Sequence, residues 1–352
     1  MKTLRLIVDP QQLETAETGR ALDCAAGILR VGGLVALPTE TVYGLGANAL
    51  DEAAVERIFA AKRRPAWDPV IVHVASVEML RGLVKAVPET ARLLMETFWP
   101  GPLTLLLPRS GAVPDVVTAG RALVGVRMPA HPVALELIRR AGVPVAAPSA
   151  NLFGHVSPTT AEHVLHDLEG RIDAVVDAGP TVHGVESTVL DPNRSPMVIY
   201  RPGAVTAEQI GEIAGPVELF GGNAETLETP TEALPSPGVG LRHYAPRAQL
   251  VLLDWPVAEL ATRMAEEVRS HAGARVGVML PSGLAVPDGL ASHRIFGWGR
   301  WDAPEEMAQT LYAGLRSLDE LGCTVIVCPL PPAEGIGAAI RDRLRKAARS
   351  KC

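Results

Sequence analysis

Residues 147–158 read APSANLFGHVSP, which sets Ser149, Asn151 and Ser157 two and six positions apart around a glycine. Two readings are open. Ser, Asn and Gly build turns, and Ser157-Pro158-Thr159 is a good helix start. The alternative is a cradle of hydroxyl and amide groups for a ligand, placed where the apolar run 143–147 ends. The stretch LVALPTETVYGLGANAL (34–50) poses the same choice. It reads as a strand-to-helix loop capped by Asp51, or as a strand end where Thr39 and Thr41 offer hydroxyls and the glycines let a ligand come close to backbone. Lys62-Arg63-Arg64-Pro65 ends a helical pattern, and cations there complement the helix dipole. Yet the chain has only five lysines. A lysine and an arginine beside the next strand would also suit triphosphate oxygens, one as a point charge and the other as a fork.

More strand ends carry polar groups. His73 lies inside an apolar run, where a satisfied core histidine is the ordinary outcome. Arg127 in GVRMPAHP could clamp a carboxylate with its fork. Glu186-Ser187-Thr188 opens one run, and Tyr200-Arg201-Pro202-Gly203 closes the next. No GxxxxGK[ST], GxSxG, HExxH or EF-hand pattern occurs, and Gly44-Leu-Gly46 is set too far from the run 34–37 to open a dinucleotide-binding turn. The chemistry indicated is binding and positioning of a charged substrate, with no covalent protein nucleophile.

Those groups must be held by a scaffold. Apolar runs predict buried strands at 34–37, 70–74, 103–107, 124–126, 143–147, 174–176, 188–190 and 197–200. Between them, 51–59 has an Asp51 cap and puts Val55, Ile58 and Phe59 on one face, while 88–98, 132–141 and 159–168 also read as helices. Residues 216–238 are rich in Gly, Pro, Glu and Thr, which is linker composition. A second alternating pattern follows, with strands near 249–253, 275–280 and 323–328 and helices near 256–271, 303–321 and 336–348. The expected organisation is a first α/β domain over 1–212, a linker over 213–247 and a smaller α/β domain over 248–352.

Composition narrows the function classes. With 352 residues, 47% hydrophobic and 20% charged, the chain can bury two cores. Its net charge of −6 supplies no global basic field for nucleic acid. The cysteines at 24, 323, 328 and 352 lack the spacing of a zinc site or a disulfide framework. The N-terminus shows no signal-peptide pattern and no apolar run is long enough to span a bilayer, so a soluble, cytoplasmic protein is expected.

The motifs PTETVYGLGANAL, KRRPAWDPVIVHV, FWPGPLTLLL, VGVRMP, APSANLFGHVSPT, GVESTVLD, YRPG and SPGVGLRHYAP occur in this order. Together they closely resemble the threonylcarbamoyl-adenylate synthases in their long, two-domain form. The resemblance covers residues 1 to about 350. It implies a YrdC-like twisted mixed open sheet with flanking helices, followed by a smaller Rossmann-like α/β domain. It also implies a nucleotidyltransferase reaction in which L-threonine, bicarbonate and ATP, usually with magnesium, give threonylcarbamoyl-AMP and diphosphate. The product goes to a separate transferase complex that modifies adenosine beside the tRNA anticodon; direct tRNA contact would be weak.

Carried over by position, the resemblance puts Lys62 and Arg64 on the ATP phosphates as the catalytic pair. Asp68, Ser149, Asn151, Ser157 and Arg201 complete the nucleotide site, and the linker folds back to bring His243 or Tyr244 to ATP. Thr41, His73, Arg127, Ala147 and Ser187 would enclose threonine, with Arg127 on its carboxylate. No dedicated metal cage is implied. Two other classes compete: a carbamoyl-phosphate-dependent carbamoyl-adenylating enzyme, and a non-catalytic nucleotide- or RNA-binding module. The chain has neither a zinc-finger-like nor an acylphosphatase-like segment that the first would carry, and five lysines argue against strong phosphate-driven binding by the second.

Overall fold

The computed structural model describes residues 2–221, 236, 243–287 and 294–349. The chain forms two compact units: Met1–Phe153 with Ser157–Val182 and Glu186–Gly240, and Gly154–Val156 with His183–Val185 and Leu241–Cys352. Most of the expected linker, 222–235 and 237–242, lies outside the described residues.

The first unit is built on one mixed sheet. Its strands are β1 (Leu4–Ile7), β2 (Val35–Leu37), β3 (Gly44–Asn48), β4 (Ile71–His73), β5 (Leu103–Pro108), β6 (Leu123–Arg127), β7 (Val145–Ala146), β8 (Ala174–Asp177), β9 (Thr188–Asp191), β10 (Met197–Arg201) and β11 (Val217–Leu219). They lie in the order β1-β8-β2-β3-β7-β4-β6-β5-β9-β10-β11. The centre is antiparallel from β2 through β3 and β7 to β4, whereas β4 and β6 run parallel with His73 beside Arg127. Successive side chains of a strand point to opposite faces, and both faces here are covered. Val35, Leu37, Val145 and Val176 pack on Leu22 and Leu29 of α1 (Ala16–Arg30) and on Val133 and Leu137 of α6 (Pro132–Ala141). Ala36, Ala146 and Val175 join the opposite core with Val55 and Ile58 of α2 (Glu52–Lys62), Leu94 of α4 (Glu89–Phe98) and Val164 of α7 (Ala161–Leu168).

One sequence expectation is corrected here. Residues 44–48 form strand β3 rather than a loop, and their glycines serve packing between strands, not close approach of a ligand. A Cβ on Gly46 would lie 2.9 Å from both Leu37 Cδ2 and Val145 Cγ1, and one on Gly44 would lie 3.1 Å from the Ala147 Cβ. Only glycine lets β2, β3 and β7 close up at this point.

The second unit has a fully parallel sheet in the order β12 (Gln249–Leu253), β15 (Val325–Pro329), β13 (Val276–Ser282), β14 (Ile295–Arg300), with α9 (Val257–Ser270), α10 (Pro304–Glu320) and α11 (Gly337–Ala347). Its near-continuous apolar strands, such as VIVCP in β15, are those of a sheet buried on both faces.

Candidate active site

Helix α2 delivers the basic cluster. Asp51 caps its start by accepting from the Ala54 N–H at 3.2 Å, and Lys62 is its last residue. Arg63 then turns left-handed at φ 54°, closed by Arg63 N–H to Ala60 O at 3.3 Å and Arg64 N–H to Phe59 O at 2.9 Å. That reversal sends Lys62 and Arg64 inward. The Lys62 ammonium is 1% exposed and donates to the carbonyls of Ser149 and Asn151, while its own carbonyl accepts from Phe153 N–H at 2.9 Å. Burial pulls the Lys62 pKa well below the usual lysine value; Arg64 adds to this, and Asp68 and Asp167 oppose it. The lysine therefore ties down the loop that the sequence singles out as a cradle. The loop is pinned again by Ala150 N–H to Tyr43 O at 2.8 Å and by Asn151 Nδ2 to Leu152 O at 2.7 Å.

Arg64 is held by the carboxylate of Asp68 at 2.9 Å, by Asp68 O at 3.0 Å and by Pro69 O at 2.7 Å. Asp68 is fully buried, so here it is the counter-ion of Arg64.

A second cluster forms where β4 and β6 end together. The Arg127 Nη1 donates to Thr41 Oγ1 at 2.9 Å, Nε donates to Gly101 O at 3.1 Å, and Nη2 pairs with Glu40 Oε1 at 2.5 Å. Thr41 Oγ1 also meets Thr39 Oγ1 at 2.8 Å. Burial alone would raise the Glu40 carboxyl, but the charge and hydrogen bond of Arg127 outweigh it and hold it below the usual range. His73 is buried beside Arg127, and desolvation, reinforced by the arginine charge, depresses its pKa to about 3. His131, just before α6, is likewise buried and pushed down by desolvation. Both rings are neutral near pH 7. Ala147 is buried after β7, its N–H bonded to Ile71 O at 2.9 Å.

A third cluster sits at the start of β9 and the end of β10. Ser187 Oγ meets Thr104 Oγ1 at 2.8 Å and accepts from Arg201 Nη2 at 3.0 Å, and Arg201 Nε donates to Ser187 O at 3.0 Å. Ser157 Oγ donates to Glu186 Oε1 at 2.6 Å. The clusters share the strands of one sheet: β5 lies between β6, which carries Arg127, and β9, which follows Ser187.

His243 and Tyr244 belong to the second unit. Tyr244 is buried at φ 63°, stacked on Tyr312 with ring centroids 5.9 Å apart and covered by the Arg343 guanidinium at 5.2 Å. The next residue, Ala245, donates its N–H to Gly154 O at 2.9 Å within the same unit.

Sequence reasoning missed Glu40, His131, Thr104 and Glu186. Glu40 and His131 stand inside the quoted motifs PTETVY and RMPAHP, and Thr104 inside FWPGPLTLLL. The partners of Glu40, Thr104 and Glu186 are remote in sequence, so spacing carries no signal for them.

Comparison with known proteins bears on the chain as a whole. A family model described as telomere recombination matches residues 27–203, and one described as threonylcarbamoyl-AMP synthase, C-terminal domain, matches 205–349. The threonylcarbamoyl-AMP synthase of Bacillus subtilis is 45% identical over 99% of this chain and 98% of its own length. That of Pyrococcus abyssi is also 45% identical, over 92% of each chain. Among solved structures, P. abyssi Sua5 complexed with L-threonine superposes with a TM-score of 0.89 at 43% identity, covering 98% of both chains.

Proposed function

The chain belongs to the threonylcarbamoyl-AMP synthase family, and from that premise we propose that it is a nucleotidyltransferase joining L-threonine, bicarbonate and ATP into threonylcarbamoyl-AMP with release of diphosphate and water. The threonine amine captures carbon dioxide or bicarbonate as a carbamate. A carbamate oxygen then attacks the α-phosphorus as diphosphate leaves. No protein group is acylated or phosphorylated, so the work left to the protein is alignment and stabilisation of charge on the phosphates.

The Lys62 ammonium seated on the Ser149–Asn151 loop is the observation that carries this reading. Lys62 and Arg64 serve the ATP phosphates, with Asp68 fixing Arg64. Ser149, Asn151, Ser157 and Arg201 frame the nucleotide. Arg127 takes the threonine carboxylate, and Thr41, His73, Ala147 and Ser187 line the rest of that pocket. ATP enters as its magnesium complex, the ion travelling with the phosphates. Among the described residues no group of three or more His, Cys, Asp or Glu side chains gathers that could hold a metal, and no helix is long and apolar enough to cross a membrane. The product passes to a tRNA-modifying transferase complex in the cytoplasm.

Diphosphate release from ATP and bicarbonate tests the reading. It should require L-threonine and fall sharply with L-serine. Release that needs carbamoyl phosphate instead assigns the chain to carbamoyl transfer, and ATP binding without turnover assigns it to a binding module.

A further inference from the structure

The Arg127–Glu40 pair has a consequence for which substrates can enter. The two side chains are 4% and 7% exposed, and they are each other's counter-ions. His73 and His131, the titratable groups electrostatically coupled to Glu40 in this cluster, are both held neutral by burial. The charge of the cluster is therefore one buried cation and one buried anion, summing to zero.

A guanidinium has five N–H donors in a planar fork. Arg127 spends Nε on Gly101 O and one Nη1 proton on Thr41 and faces Glu40 with Nη2 as an ion pair, which leaves donor capacity on both terminal nitrogens. A substrate carboxylate that takes those donors becomes the second anion on one buried cation. Like charges this close in a desolvated site repel strongly, so a simple carboxylate is disfavoured. An α-amino acid differs because it brings its own cation. Its ammonium is held within about one hydrogen-bond length of its carboxylate by covalent geometry, which places it within reach of the carboxylate already on Arg127.

We propose that Glu40 is a specificity-determining residue: with Arg127 it forms a buried dipole that accepts a zwitterionic α-amino acid and rejects the same skeleton carrying only a carboxylate or only an amine. Arg127 receives the substrate carboxylate, and Glu40 receives the α-ammonium. This rests on the reading of Arg127 as the carboxylate clamp. Glu40 is ionised when it receives the ammonium and acts there as an electrostatic template; the ammonium proton passes to solvent before the neutral amine forms the carbamate. The arrangement also admits threonine as the zwitterion that predominates at neutral pH.

The test uses the full-length protein and direct calorimetric binding of L-threonine, of its deaminated analogue 2,3-dihydroxybutanoate and of its carboxyl-free analogue threoninol. The wild type should bind threonine at least about tenfold more tightly than either analogue, the worth of one lost charge-assisted contact. Glu40→Gln should weaken threonine by a similar factor while improving the hydroxy acid, so that their ratio collapses towards one. Glu40→Asp, which keeps the charge, should restore the preference. Equal weakening of threonine and hydroxy acid in Glu40→Gln means a structural role and overturns the proposal. So does wild-type protein that binds the hydroxy acid as well as threonine, a result that needs no variant to fold. Arg127→Lys separates the two levels: if it leaves threonine affinity unchanged, the clamp reading itself fails. Threonine affinity that falls in Arg127→Lys but keeps its preference over the hydroxy acid in Glu40→Gln overturns the dipole alone.

Discussion

Replacing Lys62 with methionine keeps most of the side-chain volume and removes the ammonium. Two charge-assisted hydrogen bonds are lost, to Ser149 O and Asn151 O, and each contributes about 1.5–3 kcal/mol net. Against this, the buried ammonium no longer has to be desolvated, a cost of several kcal/mol per ion. That cost comes from the full burial of Lys62 beside the Arg64 charge, which pulls its pKa well below the usual lysine value. The two effects nearly cancel, so unfolding free energy should fall by no more than about 2 kcal/mol, a difference between terms of similar size. Catalysis has no such compensation. Loss of one preorganised donor to developing phosphate charge costs about 10²–10³-fold in turnover. Chemical denaturation and diphosphate release on the same preparation measure both. A folded Lys62→Met protein that keeps turnover within a few-fold of wild type refutes the phosphate role. A stability loss well above the expected ceiling refutes the cancellation.

Three further outcomes follow from the same contacts. Asp68→Asn removes the carboxylate paired with the buried Arg64 guanidinium and should lower unfolding free energy by about 3 kcal/mol, read by urea denaturation. Gly46→Ala forces a Cβ against Leu37, Val145 and the Val35 carbonyl and should cost about 1–3 kcal/mol, whereas Gly82→Ala, in α3 (Val77–Leu83) with nothing within 4 Å, should gain about 0.5–1 kcal/mol. His73 titrates at an ordinary 6.5 when unfolded and about 3 when folded, so between those values the unfolded chain holds a proton that the native state lacks. Stability must then fall as pH drops through that window, by at most about 1.4 kcal/mol per pH unit from this residue. His73→Asn should show a shallower acid loss between pH 6 and 4 in denaturant titrations.

What could be read from sequence follows the range of the interactions. The α2 cap, its end at Lys62 and the alternation of strands and helices are local, and Asp51, Pro65 and the apolar runs spell them out. Strand β3 was not legible, because GLGAN has the composition of a loop. It is a strand through its backbone pairing with β2 and β7, which Gly44 and Gly46 allow to lie close. The same holds in the site. Lys62, Arg127 and Ser187 stand at element ends with unusual chemistry, and each can be picked out. Glu40 becomes recognisable through Arg127, and Glu186 through Ser157, partners that the fold brings together from distant parts of the chain.

Mass and isotope content of the nucleotide product test the central claim most directly. With ATP, ¹³C-bicarbonate and ¹⁵N-threonine together, the account predicts one AMP adduct that carries both labels and is missing when either labelled reactant is left out. An adenylate with the threonine label but no bicarbonate carbon, or AMP alone, would contradict the assignment of carbamate formation and adenylation to this site.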